Sequence, residues 1–136
     1  MENLTVETFK EKVFDYTQNE EWSFKGQKPA VIDFYADWCQ PCKTISPILE
    51  ELDSENEDID FYKINTEEQM ELAQTFGIKS IPLVLFIPLE NQPQMAMGAL
   101  PKELFEKAIS EIIYGKKDDV EDADVIDESK EEKSEE

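Results

Sequence analysis

The sequence predicts a three-layer α/β/α domain, in which helices cover both faces of one mixed β-sheet. Three observations support this fold class. Apolar residues recur at helical spacing at both ends of residues 1–115, short apolar runs alternate with helical segments between them, and the last two runs are separated only by a short turn. At 136 residues, 40% of them apolar, the chain is long enough for one domain with a hydrophobic core.

The first helix and the first strand are separated by a loop. Apolar residues at near-helical spacing predict an amphipathic helix from Thr5 to Thr17. Residues 19–28 read as a loop, whose Trp22 and Phe24 are expected to pack back on the body. The run 30–36 is apolar on both faces apart from one aspartate, which is typical of a central strand covered on both sides.

The middle of the domain reads as helix, strand and helix. A helix runs through about Leu52 and has Pro47 inside it, where a kink is expected. Residues 60–64 predict a second strand, parallel to the first because a helix joins the two. Residues 67–76 predict a further helix, which Gly77 closes.

The domain ends in a hairpin, a helix and a charged tail. Residues 83–87 and 94–97 predict a core strand and a short edge strand, and Pro101 is expected at the first position of the last helix. The inward stripe of that helix is predicted to be Leu104, Phe105, Ala108, Ile109, Ile112 and Ile113. Gly115 ends the domain, 1–115, and the tail, 116–136, is expected to be disordered because it is highly charged and poor in aromatic residues.

The charge balance excludes two classes of partner. The net charge is −20, the isoelectric point is near 4.2, and all basic residues are lysines, whereas nucleic acid and anionic membrane both need clustered basic residues. Residues 116–136 carry 11 acidic and 4 basic residues, a net charge of −7, so the rest of the chain carries −13. Neither a secretory signal nor an apolar stretch of roughly 20 residues is present. We therefore expect a cytoplasmic protein, although a signal peptide already removed would leave no trace.

Both cysteines lie in the motif Trp38-Cys39-Gln40-Pro41-Cys42-Lys43, directly after the first strand. A disulfide across so small a loop stabilises a fold by only about 2 kcal/mol, so the spacing favours a dithiol–disulfide switch over a structural bridge. At a helix N-terminus, with Lys43 nearby, the thiol pKa of Cys39 should be lowered; Cys39 is thus the expected nucleophile and the more buried Cys42 the resolving thiol. A zinc half-site and two inert thiols are the alternatives. Since zinc usually takes four ligands and the chain has no histidine and no third cysteine, we predict no metal site.

Two charged residues interrupt the predicted strands. Asp33 lies inside an apolar strand, where desolvation should raise its pKa and let it accept the proton of Cys42 through water. Lys63, in the next strand, could lie beside Asp33 and tune its charge. The alternatives are that Asp33 points outward at a sheet end and that Lys63 extends to solvent.

Two further features are the bond between Ile81 and Pro82, directly before the strand 83–87, and Trp38, the first residue of the cysteine motif. A cis bond at Ile81-Pro82 would form a tight turn beside the site, but only about 5–6% of X–Pro bonds are cis, so sequence chemistry alone does not predict it. Trp38 directly precedes Cys39 and is expected either in the core or in a docking surface.

These residues together resemble the thioredoxin family. Residues 31–43 match the family's strand and active-site loop. Pro47, Lys63-Ile64-Asn65, Gly77-Ile78-Lys79-Ser80-Ile81-Pro82 and Gly98-Ala99-Leu100 follow in the family's order and spacing. The resemblance covers residues 30–114 and implies the thioredoxin fold.

The resemblance also implies a protein-disulfide reductase that works by thiol–disulfide exchange. Cys39 would attack the substrate disulfide, Cys42 would resolve the mixed disulfide, Asp33 would accept the proton, and Ile81-Pro82 would be cis. The expected substrate-binding residues are Trp38, Gln40, Pro41, Ile81, Pro82 and Gly98. No bound cofactor is implied beyond the redox-active disulfide Cys39–Cys42.

The expected partners are disulfide-bearing proteins and an NADPH-dependent thioredoxin reductase, with the chain acting as a monomer in electron transport and cell redox homeostasis. These partners follow from the resemblance.

Some residues depart from the family pattern. Gln40 replaces the usual glycine between the cysteines, which would allow a more oxidising potential, and Ser80 and Leu83 replace common neighbours of Ile81-Pro82. The usual first edge strand is expected to be short or absent, and the acidic tail is extra.

Two other functions remain open from the sequence. A thioredoxin-fold binding or chaperone-like module would use the groove and the tail, but the intact Cys39, Cys42 and Asp33 disfavour it. A thiol oxidase or isomerase is the alternative within redox chemistry. Such proteins usually carry histidine between the cysteines, and this chain has none.

Overall fold

The computed structural model describes residues 1–116. The predicted disordered tail therefore lies outside the described residues, except for Lys116. The elements in chain order are β1 (Glu2–Asn3), α1 (Val6–Lys12), β2 (Ala30–Tyr35), α2 (Gln40–Glu55), β3 (Asp60–Asn65), α3 (Met70–Thr75), β4 (Leu83–Ile87), β5 (Gln94–Met97) and α4 (Lys102–Ala108), followed by a π-helical turn (Ile109–Ile113).

The five strands form one mixed sheet in the order β1-β3-β2-β4-β5. β3 pairs in parallel with both β1 and β2, whereas β4 pairs antiparallel with β2 and with β5. The mixed sheet and the parallel pairing of the two middle strands are as predicted. The first edge strand is present but only two residues long.

Two hydrophobic clusters cover the two faces of the sheet. On one face, alternate residues of β2 and β4 pack against Phe9 of α1 and Leu72 of α3, with Trp22 and Phe24 at the margin as predicted. On the other face, Val31 and its neighbours pack against α2, α4 and the π-helical turn. The fold is therefore the predicted three-layer α/β/α arrangement, and the long helix α2 lies on the second face.

The first helix is shorter than predicted. It begins after Thr5, whose side chain and that of Thr8 form a capping box, but it ends at Lys12 rather than Thr17. Beyond it, the carboxylate of Asp15 accepts hydrogen bonds from the backbone and hydroxyl of Thr17. Such local side-chain bonds compete with helical ones, and the carbonyl of Val13 instead accepts from the N–H of Lys25.

The last two helices also differ from the sequence prediction. α3 begins at Met70 rather than residue 67, because residues 66–68 form a turn after β3. Pro101 is the N-cap of α4, one position earlier than predicted. Leu104 is exposed, so its place in the inward stripe is wrong, whereas Phe105 and Ile109 are buried as expected.

Within residues 1–116, no helix combines the length and the apolar character that a membrane span requires.

Candidate active site

Cys39 and Cys42 form a disulfide at the N-terminus of α2, directly after the end of β2. Cys39 is the N-cap residue, and the backbone N–H of Cys42 donates a hydrogen bond to Cys39 Sγ at 3.2 Å. The N-terminal end of a helix attracts negative charge, so this position stabilises a thiolate at Cys39. Both cysteines are 3% exposed in this disulfide form, so the prediction that Cys42 is the more buried thiol is not seen here.

Gln40 and Pro41 form the exposed outer side of the motif, in the first turn of α2. Pro41 is tolerated there because the first N–H groups of a helix have no partner within the helix. Gln40 and Pro41 therefore lie beside the disulfide on the surface, and their side chains are not part of the hydrophobic core.

Asp33 is buried in the middle of β2, where its side chain is 3% exposed. Its Oδ1 atom has no hydrogen-bond partner among the described residues. Burial raises its pKa from 3.8 to about 7, while the positive charge of Lys63 acts in the opposite direction. The outward-pointing alternative is thereby excluded, and a carboxyl group with a pKa near neutrality lies on the side of the sheet that α2 covers.

Lys63 pairs with Asp33 in the parallel register of β2 and β3. Paired residues of neighbouring strands share a face of the sheet, so both side chains lie on the α2 side. The ammonium group of Lys63 lies 5.7 Å from the centroid of the Tyr35 ring, and the residue is half-buried rather than fully extended into solvent.

A cavity of about 120 Å³ joins Asp33 to Cys42. Its ionisable walls are Asp33, Tyr35, Asp37, Cys42, Lys43 and Lys63. A cavity of this size has room for water, and its ionisable side chains can supply the two to four polar partners that a water molecule needs. Water in this cavity can connect Asp33 and Cys42, between which a proton is expected to move.

Ile81 lies against the disulfide, and Pro82 follows it at the start of the turn into β4. Ile81 packs on the small cluster of Ala36, Cys39 and Cys42, and the bond from Ile81 to Pro82 is cis, as the family resemblance implied. The N–H of Gly98 donates to the carbonyl of Pro82 at 2.9 Å. Gly98 has a φ of +97°, a backbone conformation that glycine adopts readily, so the strand end can approach Pro82.

Trp38 is on the surface, with 64% of its side chain exposed, so its core alternative is excluded. Its Nε1 donates a hydrogen bond to Oε2 of Glu67. The side chain of Asn65 in turn accepts from the backbone N–H groups of Glu67 and Glu68. An exposed aromatic ring is thus fixed beside the disulfide.

Sequence reasoning did not identify Glu67 or the turn that holds it. Asn65 entered only as part of the family pattern. An asparagine at the end of a predicted strand is the signal for such a turn, because its side chain can accept hydrogen bonds from backbone N–H groups two and three residues on.

No group of three or more histidine, cysteine or acidic side chains within residues 1–116 could hold a metal ion.

Comparison with known proteins gives one consistent result. A family model described as "Thioredoxin" matches residues 2–111. The chain is similar to a thioredoxin of Borreliella burgdorferi, with 46% identity over 110 residues, 80% of this chain and 94% of the relative. It is also similar to a putative thioredoxin 2 of Streptomyces coelicolor, with 40% identity over 80% of this chain and 73% of the relative. Thioredoxin 1 of a Nostoc species is 31% identical over 78% of this chain and 91% of its own length.

Proposed function

The chain belongs to the thioredoxin family, and from this premise we propose how its residues divide the work of reducing a protein disulfide. It is a protein-disulfide oxidoreductase whose redox group is its own cysteine pair and which needs no bound cofactor. The observation that carries the proposal is the position of Cys39, the N-cap of α2, bonded to Cys42.

In the first step, the thiolate of Cys39 attacks one sulfur of a substrate disulfide. The substrate S–S bond breaks, a mixed disulfide forms with Cys39, and the other substrate sulfur leaves as a thiolate. The N-terminus of α2 supports this role because it stabilises negative charge on Cys39.

In the second step, Cys42 loses its proton and attacks Cys39 Sγ. The Cys39–Cys42 disulfide forms, the mixed disulfide breaks, and the second substrate sulfur leaves, so two electrons have passed to the substrate. Asp33 accepts the proton of Cys42 across the shared cavity, and the charge of Lys63 tunes Asp33.

Substrate binds in an extended form over the surface that surrounds the disulfide. Trp38, Gln40 and Pro41 form one side of this surface, and Ile81, Pro82 and Gly98 form the other. The packing of Ile81 on the cysteine cluster and the exposure of Trp38 support this assignment.

The proposal extends to the cellular setting. An NADPH-dependent thioredoxin reductase recharges the dithiol, and the chain acts as a cytoplasmic monomer in electron transport and cell redox homeostasis. Family membership supports these assignments, and the net charge of −20 favours basic protein partners over nucleic acid.

A trapping experiment tests the roles of the two cysteines. In Cys42→Ser the second step is blocked, so a mixed disulfide between Cys39 and a model disulfide protein should accumulate, and mass spectrometry would detect it. Cys39→Ser should form no adduct and show no reduction. Adducts on Cys42 in the Cys39→Ser variant, at a rate similar to that in Cys42→Ser, would reverse the assignment.

The redox potential decides between a reductase and a more oxidising protein. Equilibration of the cysteine pair against glutathione should give a value near the −270 mV that is characteristic of thioredoxins. A value above about −200 mV would indicate oxidase or isomerase work, and Gln40 would then be the first residue to replace by glycine.

A further inference from the structure

Ser46 lies on the wall of the cavity that joins Asp33 to Cys42. It follows Cys42 by four residues in α2, and residues four apart lie on the same side of a helix. Its hydroxyl is thus on the same side of α2 as the resolving thiol, above the sheet residue that carries the buried carboxyl.

The other hydroxyl groups of α2 bond to their own helix. Thr44 donates to the carbonyl of Gln40 and Ser54 to that of Glu51. No corresponding hydrogen bond of the Ser46 hydroxyl is found among residues 1–116, where Ser46 is half-buried; the buried Oδ1 of Asp33 has no partner there either. The hydroxyl of Ser46 and Oδ1 of Asp33 line the same cavity, and a water molecule there could bridge them.

The remaining polar groups of the cavity suit this bridge less well. Lys63 from β3 and Lys43 from α2 can only donate, and Asp37, which follows β2, carries a charge of the same sign as Asp33 when both are ionised. Tyr35 of β2 is neutral, but its hydroxyl already donates to Oδ1 of Asn3 at 3.1 Å. Ser46 is left as a neutral group that can donate and accept at the same time.

We propose that Ser46 is a positioning residue for the second step, in which its hydroxyl holds the water that carries the proton of Cys42 to the Asp33 carboxylate. The Cys42 S–H bond breaks, the proton passes to Asp33 through that water, and the Cys42 thiolate forms its bond to Cys39 Sγ as the substrate sulfur leaves. The inference rests on the proposed function, and it assigns Ser46 no contact with substrate.

The test measures the decay of the mixed disulfide in single turnovers between pH 5.5 and 9. Reduced protein is mixed with a disulfide peptide, quenched with acid, and analysed by mass spectrometry. For Ser46→Ala we expect the mixed disulfide to decay about tenfold more slowly. This is less than the roughly 10²–10⁴-fold rate increase that general acid–base catalysis typically contributes, because Asp33 itself is retained. The pH midpoint of the step should move upward, because a hydrogen-bond donor to the ionised carboxylate network is lost.

Two variants serve as matched controls. Thr44→Ala removes a hydroxyl from the same helix outside this cavity and should keep the wild-type rate and midpoint. Ser46→Thr keeps a hydroxyl and should restore both. Alanine has the higher helix propensity, so Ser46→Ala is expected to fold, and a urea unfolding curve checks this.

The outcomes are distinct. Decay of Ser46→Ala with the wild-type rate, or with a slower rate but an unchanged midpoint, would overturn the proposal, as would failure of Ser46→Thr to restore the rate. If the wild-type chain does not reduce the disulfide peptide at all, the proposed function fails instead.

Discussion

The buried carboxyl group of Asp33 is costly for the fold, and the proposed reaction uses it as the proton acceptor. Its pKa is raised from 3.8 to about 7 chiefly by burial. The folded chain therefore keeps a proton that the unfolded chain releases between these two values. The unfolding free energy contributed by this group falls as the pH rises from about 4 to about 7, and it is level outside that window.

Replacing Asp33 by alanine tests both sides of this balance. At pH 8 the folded wild-type chain holds an ionised buried carboxylate, so Asp33→Ala should raise the unfolding free energy, by up to about 4 kcal/mol for a shift of roughly three pKa units. At pH 4 the gain should largely vanish. The decay of the mixed disulfide should slow by tenfold or more because the proton acceptor is lost. Urea unfolding at the two pH values and the single-turnover assay measure these effects.

Asp60→Ala is the control for this experiment, because Asp60 is a partly exposed carboxylate 4.0 Å from Lys28. Exposed ion pairs contribute about 0–1 kcal/mol, so little change is expected at either pH. A loss of several kcal/mol in Asp33→Ala together with normal kinetics would contradict the role of Asp33 as proton acceptor.

At the scale of elements, the junction between β3 and α3 determines how Trp38 is held. The side chain of Asn65 accepts from the N–H groups of Glu67 and Glu68 at 2.9 and 3.2 Å, and this turn delays the start of α3. Glu67 is thereby placed where its carboxylate accepts from Trp38 Nε1. The turn after β3 thus fixes the ring of Trp38, which follows β2.

We expect Asn65→Ala to weaken both the fold and substrate binding. The loss of two hydrogen bonds should lower the unfolding free energy by about 1–2 kcal/mol. With Glu67 no longer fixed, Trp38 becomes mobile, so the KM for a disulfide protein should rise about threefold or more with little change in kcat. Glu68→Ala is the matched control and should leave KM unchanged. A wild-type KM in Asn65→Ala would show that Trp38 does not depend on this turn.

The elements that the sequence predicts well are those decided by local pattern. The run 30–36 is apolar on both faces and forms the central strand β2, and Gly77, with a φ of +64°, follows α3 as expected. The end of α1 was harder to predict, because it depends in part on the distant Lys25, whose N–H donates to the carbonyl of Val13.

The site shows the same division between local and distant effects. The cysteine motif is contiguous, so its position between a strand and a helix follows from the sequence. That Asp33 and Lys63 are neighbours depends on the register of β2 and β3, which the sequence does not give directly. The cis bond between Ile81 and Pro82 was expected only from the family resemblance. The cavity and the Glu67 contact arise from packing between elements, for which no local signal exists.

At the scale of the whole molecule, the two ends of α2 have different neighbours. The cysteines lie at its N-terminal end, whereas Tyr114 and Lys116 line a cavity with Leu52 and Asn56 at its C-terminal end. A helix of 16 residues is about 24 Å long. The tail therefore begins roughly that far from the disulfide, which exceeds the Debye length of about 8 Å at physiological salt.

We expect truncation after Gly115 to leave disulfide reduction nearly unchanged, with kcat/KM within about twofold at 0.15 M salt. Deleting the tail removes a net charge of −7, and the residue at which the tail begins lies well beyond one Debye length from the disulfide. At about 0.01 M salt, where the Debye length reaches about 30 Å, the truncated chain should react faster than the full chain with an acidic substrate. A full-length variant in which seven of the 11 acidic tail residues are replaced by their amides keeps four acidic and four basic tail residues, and this tail without net charge should behave like the truncated chain. A large loss of activity on truncation at 0.15 M salt would instead give the tail a direct part in substrate binding or in the stability of the domain, and comparison with the amide variant would separate its charge from its length.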